Sequence, residues 1–469
     1  MKYPALFIFF FFYTITQASD LQISNALLYQ ENETVYTVVS LKWHNAWKND
    51  INNDAAWLFF KVAEAGNDYK HLKVSKTGHE IVSDNTEGKL EIVTTDDQLG
   101  VFVQPKSNYR GTIEMTLKIT LEESSFSYPQ YLYSADFKAY GIEMVYIPQG
   151  KFTLGDPDTN ALDFGSFYLS GKDGEFKELF MIESETEEIA IGDNENNLYY
   201  RAKNHYQGDQ TGTVPASFPK GVDAFYIMKY EPSQGQYVDF LNSLNDEQSQ
   251  FRANFGGKEY YENRGSINIK NGRYFSSNPN AICNYMSWDD AMAYADWTGL
   301  RPLTEFEFTK ATRGISKPSA HEFPWGTDNK FKLQRLLNKN GEYIMLNGWD
   351  ESQLSGETKE VFGASYYWVM DLAGGMWERV ITVGHEKGRS FEGSHGDGEL
   401  SGNGFATNSD WPSGIDAKGV GFRGGGFYEP GRGYNAYNPF SPIAYRPYGA
   451  YSGGQRTKAY GARFCRTHK

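Results

Sequence analysis

The chain has 469 residues, 40% of them hydrophobic and 16% aromatic, with a formal net charge of −14. That length suits two or three domains of about 150 residues each, and the apolar fraction is enough for sizeable cores. The acidic balance excludes nonspecific nucleic-acid binding, which needs basic surface. Two cysteines exclude a disulfide-built scaffold.

Residues 1–19 read as an export leader. Lys2 precedes an apolar run from Ala5 to Tyr13, and Thr16-Gln17-Ala18 resembles a small-residue cleavage site. The run is too short to span a bilayer, and no later stretch is apolar enough to do so. The expectation is an exported protein without membrane insertion: periplasmic, cell-surface or extracellular.

Residues 20–135 read as β. Val35 to Trp43, Ala56 to Val62 and Leu99 to Val103 are strand-like runs. Ile113, Met115, Leu117, Ile119 and Leu121 alternate with polar residues, the pattern of a half-buried strand. Short strands separated by Asn, Asp and Gly clusters predict a β-sandwich over 20–135, with a boundary at 124–140 where the alternation stops. Nothing catalytic is visible there.

A strand–turn–strand follows at Met144 to Gly155, and the Asp, Asn, Gly and Glu-rich stretch 156–220 reads as an extended loop insertion. Three capping boxes then announce helices, each pairing a side chain with an orphan amide of the first turn: Ser233 with Gln236, Ser287 with Asp290, and Thr304 with Glu307. Tyr237, Phe240, Leu241 and Leu244 form an amphipathic stripe, a core face. Gly299 and Gly314 stand where the second and third helices must end. Beyond Gly314 the chain is turn-rich. From Gly421 to Lys469 there are eight Lys and Arg against one carboxylate, Glu429, a basic tail on an acidic protein.

The string from Ser287 to Gly314, SWDDAMAYADWTGLRPLTEFEFTKATRG, resembles the signature helices of the formylglycine-generating enzyme (sulfatase-modifying factor) family. Six further matches occur in the expected order: GIEMVYIPQGKFTLGD at 141–156, FYIMKYEPSQGQYVDFLNSL at 225–244, PWG at 324–326, DLAGGMWER at 371–379, RGGGF at 423–427 and ARFC at 462–465. The resemblance covers 141–469. It implies an α+β, C-type-lectin-like domain with little regular structure, preceded here by the N-terminal β-sandwich. It also implies a cross-link through Cys465. The helical partner position is Ala295, so either Cys283 substitutes or both cysteines stay as buried thiols.

By resemblance, calcium is the implied structural ion. Its ligand positions map to the Asp371 side chain, the Gly374 and Met376 carbonyls and the Glu378 side chain, a mixture suited to a hard cation. Gly375 stands where the family usually has Asn, and Arg379 where it has Trp. A second, weaker site maps to Asn347 and the Gly348 carbonyl. The family's oxidation of a substrate cysteine uses two enzyme cysteines holding Cu(I), a soft ion that needs thiolates. The interval 424–462 contains no cysteine, so no copper is expected, and no catalytic residue is assigned. A three-histidine iron site, as in a second branch of the family, has no ligand spacing among His321, His385 and His395.

That interval is instead rich in tyrosine and arginine. Tyr434, Tyr437, Tyr445 and Tyr448 offer broad contact area at low rotamer cost, and Arg432, Arg446 and Arg456 offer forked donors for carboxylate or sulfate. The functional expectation is a calcium-stabilised, non-catalytic binding module for an anionic glycan or protein segment. The rivals are a formylglycine-generating or other metal-dependent oxidase and a structural subunit of a cell-surface assembly.

Overall fold

The computed structural model describes residues 21–426 and 440–468. The expected leader, residues 1–19, and Arg432, Tyr434 and Tyr437 lie outside the described residues.

Eight strands come from the N-terminal region: β1 (Gln22–Glu31), β2 (Thr34–Lys48), β3 (Asp54–Ala63), β4 (Lys70–Leu72), β5 (Glu80–Asp84), β6 (Leu90–Thr94), β7 (Val101–Pro105) and β8 (Tyr109–Leu121). They do not close into a self-contained sandwich. A four-stranded sheet runs β1-β2-β8-β5. The facing layer is shared with the rest of the chain. Strand β9 (Asp136–Ile147) pairs antiparallel with β3 from Asp54↔Val145 to Ala63↔Asp136. Beyond β9 come β10 (Phe225–Met228), β15 (Phe464–Thr467) and β11 (Arg301–Pro302), so one sheet reads β11-β15-β10-β9-β3-β7-β6, with β4 on β3. One sheet therefore takes strands from both sides of the stretch 124–140.

Strand β3 shows why. Its side chains alternate between two dry faces. Ala56, Leu58, Phe60 and Val62 join Val35, Leu41, Trp43 and the alternating residues of β8 in the core between the sheets. Ala55, Trp57 and Phe59 join the core under the helices. A strand buried on both faces reads as a continuous apolar run, as Ala56 to Val62 does.

The three capping boxes form as read. They start α1 (Gln234–Asn242), α3 (Trp288–Trp297) and α4 (Glu305–Arg313); α2 (Asp246–Arg252) has a fourth, from Asn245 and Gln248. Gly299 follows α3 at φ 69°, a conformation a Cβ would disfavour. The indole of Trp57 donates to Thr298 O at 2.9 Å, so a β3 residue holds the carbonyl at the end of α3. The 156–220 insertion is not bare loop. It carries strands of two or three residues in a five-stranded sheet, too short to leave a period in the sequence. Cys283 and Cys465 are buried, free thiols in separate cores.

Candidate functional site

A three-stranded sheet centres the C-terminal half. Strand β12 (Trp377–Ile381) pairs antiparallel with β13 (Val420–Arg423) and parallel with β14 (Tyr460–Ala462). It opposes Glu378 to Arg423 on one side and Gly461 on the other. The DLAGGMWER, RGGGF and ARFC segments meet here, and most of their charged groups are spent on one another or on upstream acids.

Glu305 is the hub. It opens α4 and has no exposed surface. Arg446 donates to it twice, from Nε at 2.7 Å and Nη2 at 3.1 Å, and Arg423 Nη2 donates at 2.8 Å. Thr382 Oγ1 and the Val383 amide complete the set at 2.9 and 2.8 Å. Burial alone would raise this carboxyl, but the Arg446 and Arg423 charges outweigh it and hold it below the usual range. Arg446 also stacks over Phe167 and Tyr200. A donor to an outside ligand would have to reach solvent. It is fully buried, because a guanidinium satisfied by a carboxylate and two ring faces has no need of water.

The same holds for two further arginines of the basic tail. Arg463 pairs with Glu378 through Nε at 2.9 Å and Nη2 at 2.7 Å, and Arg466 pairs with Asp97. Tyr445 is buried, stacked on Phe164, with its hydroxyl 3.0 Å from His321 Nδ1. Tyr448 is half-buried and packs edge-on to Trp377. Arg456 alone among the described candidate arginines keeps solvent contact, with 23% of its side chain exposed.

Two of the expected calcium positions, the Asp371 and Glu378 side chains, are engaged by arginines. Asp371 is closed by Arg335, whose Nε and Nη2 each donate to one carboxylate oxygen at 2.9 Å. Arg335 Nη1 also donates to Glu351 at 2.9 Å. A guanidinium thus stands against the oxygens a cation would need. The Met376 amide donates to Glu231 at 3.0 Å. Gly375 is at φ 66°, and a Cβ there would lie 2.4 Å from Glu231 Oε2, so the exchange from the family's Asn makes room for a buried glutamate. Burial, then the neighbouring Glu378 charge, push the Glu231 carboxyl well above the usual range. Gly374 donates its amide to Gly424 O at 3.0 Å. Asn347 and Gly348 are exposed, at φ 54° and 74°, and Asn347 donates to Gln334 at 2.6 Å. Among the described residues, no set of three or more His, Cys, Asp and Glu is placed to hold a metal ion. With Asp371 taken up by Arg335, melting curves with calcium and with chelator are expected to coincide within about 1 °C; a calcium-dependent rise of several degrees, as binding to the native state alone produces, would support the four-residue set.

The other departure, Arg379, is buried and donates to three carbonyls: Met286 at 2.7 Å, Gln455 at 2.7 Å and Gly453 at 3.1 Å. It stitches the entry to α3 onto the segment before β14. Among the buried acids, Glu305 was missed, and Glu378 and Asp290 were read in other roles, as a calcium ligand and as a helix cap, not as partners of arginines. One signal was available: eight basic residues in the tail with one acid nearby need partners upstream.

These helices, this sheet and this buried arginine lattice define an α+β domain of one family. The model of the sulfatase-modifying factor enzyme 1-like domain matches residues 132–466, and the chain belongs to that family. It is 26% identical over 199 residues to the formylglycine-generating enzyme of Bos taurus, covering 36% of this chain and 51% of the relative. Against the Mus musculus enzyme the identity is 26% over 215 residues, covering 39% and 56%. Against that of Thermomonospora curvata it is 28% over 108 residues, covering 23% and 35%. The chain thus spans about half the length, or less, of the relatives it matches. Among the described residues, no helix is long and apolar enough to cross a membrane.

Proposed function

We propose that this chain is an exported, non-catalytic binding member of its family, with an anionic glycan as ligand. The observation that carries this reading is the thiol inventory. Copper chemistry of the family type needs two thiolates, and the interval 424–462 has no cysteine. Cys283 and Cys465 do not substitute. Burial pushes both thiols well up, against thiolate formation, and they sit in separate cores. Calcium is left out of the reading because Arg335 closes Asp371.

The second reading is a formylglycine-generating oxidase, favoured by the names of the relatives. A cysteine-containing sulfatase-type peptide, incubated with the purified chain and copper, separates the two. Mass spectrometry should find the cysteine unchanged. Copper-dependent conversion to the aldehyde would overturn the non-catalytic reading.

A further inference from the structure

A cavity of about 670 Å³ opens between the end of α2, the start of α3 and residues 454–456. That volume lies within the range of small-ligand sites, about 300–1,000 Å³. Its walls are fixed from behind, because Arg379 ties Met286 and Gln455 together.

Two guanidiniums, Arg252 and Arg456, share one carboxylate there. Arg456 Nε and Nη2 donate to Asp290 at 2.7 and 2.8 Å. Arg252 Nη1 lies 3.0 Å from the same group. Asp290 is fully buried and also accepts the Ser287 amide at 2.8 Å, closing the helix cap. One charge thus faces two. Arg252 is 3% exposed, and its Nε has no hydrogen-bond partner. Two further acids line the space. Asp289 accepts the Gly414 amide, and Glu259 stands exposed at the rim. Water screens Glu259 at the rim more than the floor, where Arg252 and Arg456 are balanced by Asp290 and the half-buried Asp289, so an entering anion is met by the guanidinium groups themselves and not by a net positive charge.

The walls are apolar and open. Phe405 lies under the Arg252 guanidinium at 4.5 Å and is 38% exposed, and Phe251 is 48% exposed. Ile415 at the mouth is 77% exposed. Clustered exposed apolar groups beside a cavity mark a contact site. Asn254 and Gln455 add amide heads that both donate and accept. No strand contributes to the lining among the described residues, so an extended peptide has no edge to pair with.

The ligand these walls fit has an apolar ring face, several hydroxyls and one anionic substituent. We propose that the cavity binds an acidic sugar residue of a glycan, its carboxylate or sulfate held at Arg252 and Arg456 and its ring against Phe251 and Phe405. This rests on the binding reading above and gives it a place.

The test is calorimetric titration of the full mature chain with three oligosaccharides of equal length: a uronate, a sulfate ester and a neutral one. Saturable binding of the uronate or the sulfate is expected, weakening with salt, with the neutral chain about tenfold weaker or worse. Preference between the two acids identifies the substituent. Arg456 supports Asp290, so its removal risks the fold. Phe251→Ala and Ile415→Asp change exposed positions instead, and each should weaken binding about fivefold or more with unchanged melting. Equal affinity for the neutral chain, no binding of either acid, or acid binding untouched by both variants would each overturn the proposal. In the last case the glycan-binding reading stands and only the cavity falls. Peptide oxidation in the copper assay would sink the non-catalytic reading and leave the cavity test unaffected.

Discussion

Glu305→Gln is expected to destabilise the chain by about 3–5 kcal/mol, a large share of the total stability of a typical protein. The substitution keeps size and shape but removes the charge that neutralises Arg446 and Arg423, both fully buried. Two uncompensated guanidiniums out of water are costlier than the one lost pair suggests. Arg446→Met should cost less, because Glu305 keeps Arg423 and the Thr382 and Val383 donors. The double variant should then be less damaging than the sum of the two, since the contacts are shared. The measurement is urea unfolding of the three variants. A loss under about 1 kcal/mol for Glu305→Gln would mean that water reaches the cluster and that the buried-charge argument fails.

This hub also marks the limit of what the sequence reveals. Local patterns read well. Ser287 and Asp290, or Thr304 and Glu307, are three residues apart, and the helix itself brings them together. The double-faced burial of β3 is legible as an unbroken apolar run. Non-local pairing is not. Nothing in Asp54 to Ala63 names Asp136 to Val145 as its neighbour, so the N-terminal strands read as a domain of their own. Arg446 and Arg456 read as ligand-binding donors, and Arg466 as part of a basic tail, because their acids lie far upstream. Glu305 is 141 positions from Arg446, and Asp97 is 369 from Arg466. Periodicity carries no signal over such separations. The signature string identifies the family, yet it does not show that Arg335 takes up Asp371.

Stability is expected to fall as the pH is raised from about 4 to 7, and Asp54 supplies part of that fall, beside other carboxyls pushed up by burial, Asp239, Asp296 and Glu231 among them. Asp54 has no exposed surface. Its Oδ1 accepts the Trp47 amide at 2.8 Å, while Oδ2 has no hydrogen-bond partner and lies 3.6 Å from Lys229 Nζ. Lys229 sits closer to Glu143, at 3.0 Å. One buried ammonium therefore faces two carboxylates and neutralises one of them. Burial pushes the Asp54 carboxyl up to about 7; Lys229 opposes the rise and Glu143 adds to it. The folded chain thus holds a proton that the unfolded chain releases near 3.8. For a raised group the stabilisation is complete below the unfolded value and is lost as the pH rises to the folded one. The slope is about 1.4 kcal/mol per pH unit, so the window from 3.8 to about 7 is worth about 4 kcal/mol at most. Glu305 works in the opposite sense. Its carboxyl is held low, so its contribution is present above the unfolded value and lost in acid. Asp54→Asn removes the titrating proton while keeping an oxygen for the Trp47 amide. Unfolding by urea at half-unit pH steps should show the wild type losing stability toward neutral pH and Asp54→Asn losing less over the same window. Parallel slopes for the two proteins would show that Asp54 is charged in the folded state and that Lys229 serves both carboxylates.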